Sequence, residues 1–244
     1  MQLFYSSAFT LESTIFNFSK EESRHISRVL RKKEGDKLWV TNGKGLRCEA
    51  ILISSDPKKC VAEVISFTDS LPSKINLHLA VAPTKMNDRF EWFLEKATEI
   101  GIQQITPIFC ARSERKVFKP ERFQKIIESA SKQSLKDYFP VLHPAVSLKQ
   151  FLNNSSLLEG SKFIAHCMDL DHDKRSLKQC LSEFSVNDFQ SFTLLIGPEG
   201  DFTSDEVMLS KQHAFKAITL GEQRLRTETA AIVATHSINY HFEK

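Results

Sequence analysis

From Ile75 onward the chain alternates short, almost unbroken apolar runs with stretches of helical period, and this rhythm limits its possible folds more than any other feature. A strand that is apolar at nearly every position cannot turn one side to water. It must lie in a parallel sheet covered by helices on both faces. Strands are expected at 75–82, 104–110, 162–167, 192–196 and 216–220, and helices at 88–100, 120–131, about 174–184, 204–214 and 227–240. Phe90, Phe93, Leu94 and Ala97 share one side of the first helix; Phe123, Ile126 and Ile127 point inward from the second, with Pro120 in its first turn. No internal repeat is visible.

Before Pro72 the pattern differs. Strand-like runs at 37–41, 46–53 and 60–67 are separated by Asn42-Gly43-Lys44-Gly45 and Asp56-Pro57-Lys58-Lys59, which favour chain reversal. A helix is expected at 19–30, with Ser19 as cap, Glu22 three residues later and Ile26, Val29 and Leu30 as its apolar stripe. The result is a compact, mostly β domain, a small barrel, with residues 69–73 as linker. This gives domains at 1–70 and 74–244.

Hydrophobic residues at 41% and charged residues at 26% exclude a disordered chain, which would lack apolar side chains to offset its ordering entropy. No apolar run is long enough to cross a bilayer, and residues 1–10 have neither a basic region nor a continuous apolar one, so a cytoplasmic location is expected. Cys48, Cys60, Cys110, Cys167 and Cys180 are irregularly spaced without a CxxC pair, and read as reduced thiols.

The formal charge of +3 permits an anionic partner without demanding one. Positive charge clusters at Arg24, Arg28, Arg31, Lys32, Lys33, Lys37, Lys44 and Arg47, and again at Arg112, Arg115, Lys116, Lys119 and Arg122. These are either phosphate-contacting faces or solvated ones neutralised by Glu21, Glu22, Glu34, Asp36, Glu114 and Glu121.

No GxGxxG follows a strand, and no GxxxxGK[ST] or HExxH occurs. Asp169, Asp171, His172 and Asp173 are too close in sequence to converge on one ion, so a solvated turn is the better reading and no metal is expected. The strongest local signal is Leu194-Leu195-Ile196-Gly197-Pro198-Glu199-Gly200-Asp201-Phe202-Thr203-Ser204, a buried strand running into a tight turn and then a helix. Ligands of open α/β sheets bind at such strand ends, although an ordinary turn accounts for these residues equally well. A second such turn, Leu220-Gly221-Glu222-Gln223-Arg224-Leu225-Arg226-Thr227-Glu228, sets two arginines beside Leu225 before an Ala-rich helix. Capping explains Thr227, and the helix dipole favours Glu228; neither explains the arginines.

Taken together, these segments resemble the bacterial 16S rRNA uracil-N3 methyltransferases of the SPOUT superfamily. The resemblance spans nearly the whole chain. It is carried by His25, Val29-Leu30-Arg31 and Gly35-Asp36; by Lys96-Ala97-Thr98-Glu99-Ile100-Gly101 and Arg112-Ser113; by Ile196-Gly197-Pro198-Glu199-Gly200; and by Leu220-Gly221 with Leu225-Arg226-Thr227-Glu228-Thr229-Ala230. It implies a PUA-like amino-terminal domain for RNA and an α/β domain with a deep trefoil knot, active as a homodimer. It also implies S-adenosylmethionine held by Gly197, Glu199, Gly200, Leu220, Gly221, Leu225 and Arg226, and a uridine in the decoding region of 16S rRNA as target.

Arg24, Arg28, Arg31, Lys33 and Arg112 are the expected RNA contacts. Arg226 is expected to stabilise charge on the uracil, and Glu199 to accept the N3 proton if the pocket turns it away from backbone amides. Two departures stand out: Asp201 follows Gly200 where the family usually has a second glycine, and Lys132 and Lys136 replace an acidic residue and an arginine in Ala130-Ser131-Lys132-Gln133-Ser134-Leu135-Lys136. Competing readings are a related RNA methyltransferase acting on another base or on a ribose oxygen, and a non-catalytic ribosome-assembly factor that binds RNA.

Overall fold

The computed structural model describes residues 2–115, 117–168 and 174–243, with Ser155 through its backbone alone. They fall into two compact units: one runs to Pro72 and adds Glu128–Phe139, and the other takes Ser73–Ile127 and the chain from Pro140.

The first unit contains β1 (Leu3–Tyr5), β2 (Ile15–Asn17), α1 (Lys20–Arg24), β3 (Lys37–Thr41), β4 (Leu46–Ser54) and β5 (Val61–Asp69). Its sheet has the order β1-β3-β4-β5-β2, with β1 parallel to β3 and the other pairings antiparallel. That path has two ends, so the sheet is a mixed half-barrel and not a closed barrel. Period-two alternation sets its core: Leu46, Cys48, Ala50 and Leu52 of β4 turn inward beside Phe4, Phe9, Phe16, Phe18 and Ile26.

The helix expected at 19–30 is an α-turn that widens into a π-turn over His25–Val29, closed by the Leu30 amide donating to the His25 carbonyl at 3.0 Å. The extra residue in that turn rotates the stripe, so Ile26 is buried but Val29, expected inside, is 66% exposed. Ser19 caps as expected, accepting from the Glu22 amide, yet Glu22 does not close the box. Its oxygens accept instead from the Tyr5 amide (3.3 Å) and from Lys132 Nζ (2.8 Å). Lys132 thus has a carboxylate partner within the unit. Arg47, counted above with the basic cluster, is bound by Asp137 at 2.6 Å.

The second unit holds β6 (Ile75–Val81), α2 (Asn87–Ile100), β7 (Gln104–Phe109), the start of α3 (Pro120–Gln133), β8 (Val141–Leu142), β9 (Val146–Ser147), α4 (Leu148–Leu152), β10 (Ser161–Ala165), β11 (Arg175–Ser176), α5 (Leu177–Leu181), β12 (Gln190–Ile196), α6 (Ser204–Gln212), β13 (Lys216–Thr219) and α7 (Thr227–Phe242). The sheet order is β11-β13-β10-β12-β6-β7-β8, with β9 also on β7, and every pairing is parallel. Both faces are buried, as the apolar runs require. Leu194 and Ile196 pack with Leu79, Phe93, Ala231 and Ile238 on one side, whereas Leu195 packs with Ala80, Phe151, Phe202 and Phe215 on the other.

The helix expected at 174–184 is shorter, because residues 175–176 pair with β13 and Ser176 starts α5 through a capping box with Gln179. Strand β12 enters between β10 and β6, both laid down earlier in the chain. Among the described residues no helix is long and apolar enough to cross a membrane.

Candidate functional site

Three neighbouring strands, β13, β10 and β12, end on the same edge of the parallel sheet, and the segments that follow them enclose a cavity of about 880 Å³. All seven residues expected to hold the cofactor line it: Gly197, Glu199, Gly200, Leu220, Gly221, Leu225 and Arg226. Arg112, Cys167 and Asp201 also contribute to the wall.

The turn after β12, residues 197–203, is a hub. Glu199 Oε1 accepts from the Lys85 amide at 2.9 Å, from the segment after β6. The carboxylate is therefore engaged by a backbone amide through one oxygen. Arg112, on the segment after β7, donates from Nη1 to the carbonyls of Gly200 (2.9 Å) and Phe202 (3.2 Å). The adjacent Ala111 amide donates to Glu206 Oε1 at 2.7 Å, while Glu206 completes a capping box with Thr203 at the start of α6. Asp201 Oδ2 accepts from the Cys167 amide at 2.8 Å, in the segment after β10. Finally, Thr227 Oγ1 donates to the Gly197 carbonyl at 3.0 Å in a buried bond. The expected capping role of Thr227 is thus replaced: Arg226 occupies the cap position, without a side-chain bond, and the Thr227 hydroxyl joins the two turns.

Glycine is needed at Gly197 for space. A Cβ there would stand 3.0 Å from the Phe202 ring, which is fully buried.

The turn after β13 is built differently. Gly221 has φ +133°, a backbone region that side chains disfavour, and a Cβ there would meet no protein atom within 4 Å. Thr219 Oγ1 closes the turn locally, donating to the Gly221 carbonyl at 2.7 Å. Glu222, Gln223, Arg224 and Arg226 are exposed, and among the described residues their side chains make no hydrogen bond or ion pair. The next carboxylate is different again: Glu228 is buried, 3.8 Å from Arg89 Nε through one oxygen, and its other oxygen has no partner among the described residues.

In the first unit, Arg24, Arg28, Arg31 and Lys33 are exposed, and their side chains have no partner among the described residues. Two of the carboxylates expected to neutralise them act elsewhere: Glu22 holds Lys132, and Asp36 accepts from the Lys33 amide. The Asp169, Asp171, His172 and Asp173 cluster and Lys116 lie outside the described residues. Among those described, no group of three His, Cys, Asp or Glu side chains is placed to hold a metal. Four of the cysteines are buried free thiols, and burial pushes Cys48 up to about 12.

Sequence reasoning missed Lys85, Cys167 and the joining role of Thr227. Lys85 and Cys167 act through backbone amides, which every residue type but proline supplies. Among the residues that tie these turns together, Asp201 alone stands out in the sequence as a departure from the family pattern.

Residues 71–239 match the family described as RNA methyltransferase domain, and residues 18–65 match the RNA methyltransferase PUA domain. The ribosomal RNA small subunit methyltransferase E of Bacillus subtilis (strain 168) is 30% identical over 95% of this chain and 92% of its own. The crystal structure of a probable rRNA-methyltransferase from Porphyromonas gingivalis superposes over 100% of both chains, with TM-score 0.86 and 34% identity. A Legionella pneumophila protein solved in complex with the bound cofactor SAM covers 98% of this chain and 96% of its own, with TM-score 0.83 and 27% identity. Carrying both matched domains in order over its length, this chain belongs to the RNA methyltransferase family of the bacterial ribosomal RNA small subunit methyltransferases E, within the SPOUT superfamily.

Proposed function

We propose that this chain transfers a methyl group from S-adenosylmethionine to N3 of one uridine in the decoding region of 16S rRNA. The observation that carries the reading is the cavity at the ends of β10, β12 and β13, lined by all seven residues on which the family resemblance places the methyl donor. Its walls fit such a ligand: Leu220 and Leu225 offer apolar surface to an adenine, and Glu199 and Arg226 offer charges of both signs to a zwitterionic tail and a sulfonium. When bound, S-adenosylmethionine supplies an electrophilic methyl group.

The protein's task is to make uracil N3 a nucleophile. Arg226 has no side-chain partner among the described residues and lines the cavity, so its fork of donors can stabilise the charge that gathers on a uracil carbonyl as N3 loses its proton. Glu199 keeps one carboxylate oxygen not bound by the Lys85 amide, and that oxygen is the proposed proton acceptor. Holding N3 in line with the donor methyl supplies further rate. The target uridine leaves its stack to enter, at a cost of a few kcal/mol offset by protein contacts.

The PUA-matched unit is assigned to RNA docking through Arg24, Arg28, Arg31 and Lys33, exposed cations that have no carboxylate partner among the described residues. We further propose a trefoil knot at the cofactor loops, a homodimeric active form and a cytoplasmic location.

Nucleoside mass spectrometry of small-subunit RNA from cells with and without the protein tests the reaction. The expected result is 3-methyluridine that disappears with the gene. A different methylated nucleoside would assign another base or a ribose oxygen. An unchanged nucleoside profile with no S-adenosylmethionine binding would favour the non-catalytic assembly factor.

A further inference from the structure

Asp201 keeps a side chain where the backbone favours glycine: its φ is +61°. Both of its carboxylate oxygens are occupied. Oδ1 accepts from the next amide, that of Phe202, at 2.8 Å, a local bond of the kind aspartates make in turns. Oδ2 accepts from the Cys167 amide at 2.8 Å, and this bond joins the segments that follow two strands. Strands β10 and β12 are parallel neighbours whose last paired residues are Ala165 and Ile196. Beyond that pair the two backbones diverge into separate turns, and the Asp201 carboxylate replaces the missing ladder bond. Cys167 and Asp201 both line the cavity, so the tie lies in its wall.

We propose that Asp201 is a positioning residue: it holds the segment after β10 against the turn after β12, and the affinity for the methyl donor depends on that tie. It acts through the Cys167 amide, not on the reacting atoms. The proposal rests on the assignment of the cavity to S-adenosylmethionine.

Three variants separate the possibilities. Asp201→Gly keeps the backbone conformation and removes the tie; Asp201→Asn keeps an acceptor oxygen and tolerance of positive φ; Asp201→Ala loses both advantages. For Asp201→Gly, calorimetry should show S-adenosylmethionine binding weakened by about tenfold, with KM raised to match, kcat within about twofold and a melting temperature no lower than that of the native chain. Hydrogen exchange at the Cys167 amide should accelerate in the same variant without donor. Asp201→Asn should recover most of the affinity, and Asp201→Ala should resemble Asp201→Gly in binding while melting lower. Native affinity in Asp201→Gly, or unchanged exchange at Cys167, would overturn the proposal. So would an Asp201→Asn chain as weak as Asp201→Gly, because charge facing the sulfonium would then be the cause. Absence of binding by the native chain would instead overturn the assignment of the cavity, and the exchange measurement would still report on the tie.

Discussion

The two turns that face the cavity carry similar residue types and are built on opposite principles. Residues 197–203 receive a bond from every neighbouring strand end: Lys85 after β6, Arg112 after β7, Cys167 after β10 and Thr227 after β13. Residues 220–226 are closed locally through Thr219, and their charged side chains have no protein partners among the described residues. Charges already committed to the fold shape a wall, while uncommitted ones remain available to a substrate. The first turn is accordingly mostly scaffold, with one Glu199 oxygen left over for the proposed chemistry, and the second is the proposed working surface.

Arg226 should show the contrast most strongly. Arg226→Ala should lower the single-turnover rate by about 100-fold, equivalent to roughly 3 kcal/mol, with melting unchanged. Arg226→Lys should recover only part, since lysine restores charge without the fork. A near-normal rate at saturating RNA and donor would remove the second turn from the chemistry.

Substitution of the glycines should separate packing from backbone. Gly197→Val drives carbon into the buried Phe202 ring and should cost about 1–3 kcal/mol of stability together with donor affinity. Gly221→Ala has open space around it and should cost on the order of 1 kcal/mol through its backbone alone. Urea titration of both variants checks this, and equal stability losses with equal losses of affinity would erase the distinction.

Thr227 links the turns. Thr227→Val leaves the buried Gly197 carbonyl without its donor and should cost about 1–2 kcal/mol in the same titration, whereas Thr227→Ser should retain most of it. A neutral Thr227→Val would show the turns to be independent.

The smallest expected effect concerns Arg112 against the first-unit arginines. Arg112→Ala should weaken donor binding by about 1 kcal/mol and leave the salt dependence of RNA binding nearly intact, because its guanidinium holds the carbonyls of Gly200 and Phe202. Arg28→Ala should instead reduce the salt slope by about one unit. The reverse pattern in filter-binding titrations would make Arg112 the RNA contact.

The parallel sheet was legible because burial on both faces leaves strands apolar at nearly every position, as at 75–82 and 192–196. Strand order was not, since no local pattern tells β12 to enter between β10 and β6. Short elements escaped as well: β8, β9 and α4 are two to five residues long, too brief for a period to show. Val29 was misplaced because one residue added to a helical turn leaves no mark in composition. At the site, the glycines and arginines could be read from residue type. The ties that organise them run to backbone carbonyls and amides, which residue type does not mark apart from the missing N–H of proline.

The place of β12 also governs when this protein can exist. Its neighbours end at Val81 and Ala165, but β12 is complete only at Ile196. During synthesis at about 5–20 residues per second, the gap beside β6 stays open for on the order of ten seconds, exposing an apolar strand edge on both faces. An unpaired edge of β6 thus waits for a central strand, and chaperone occupancy on stalled nascent chains should fall once Ile196 has cleared the ribosomal exit tunnel.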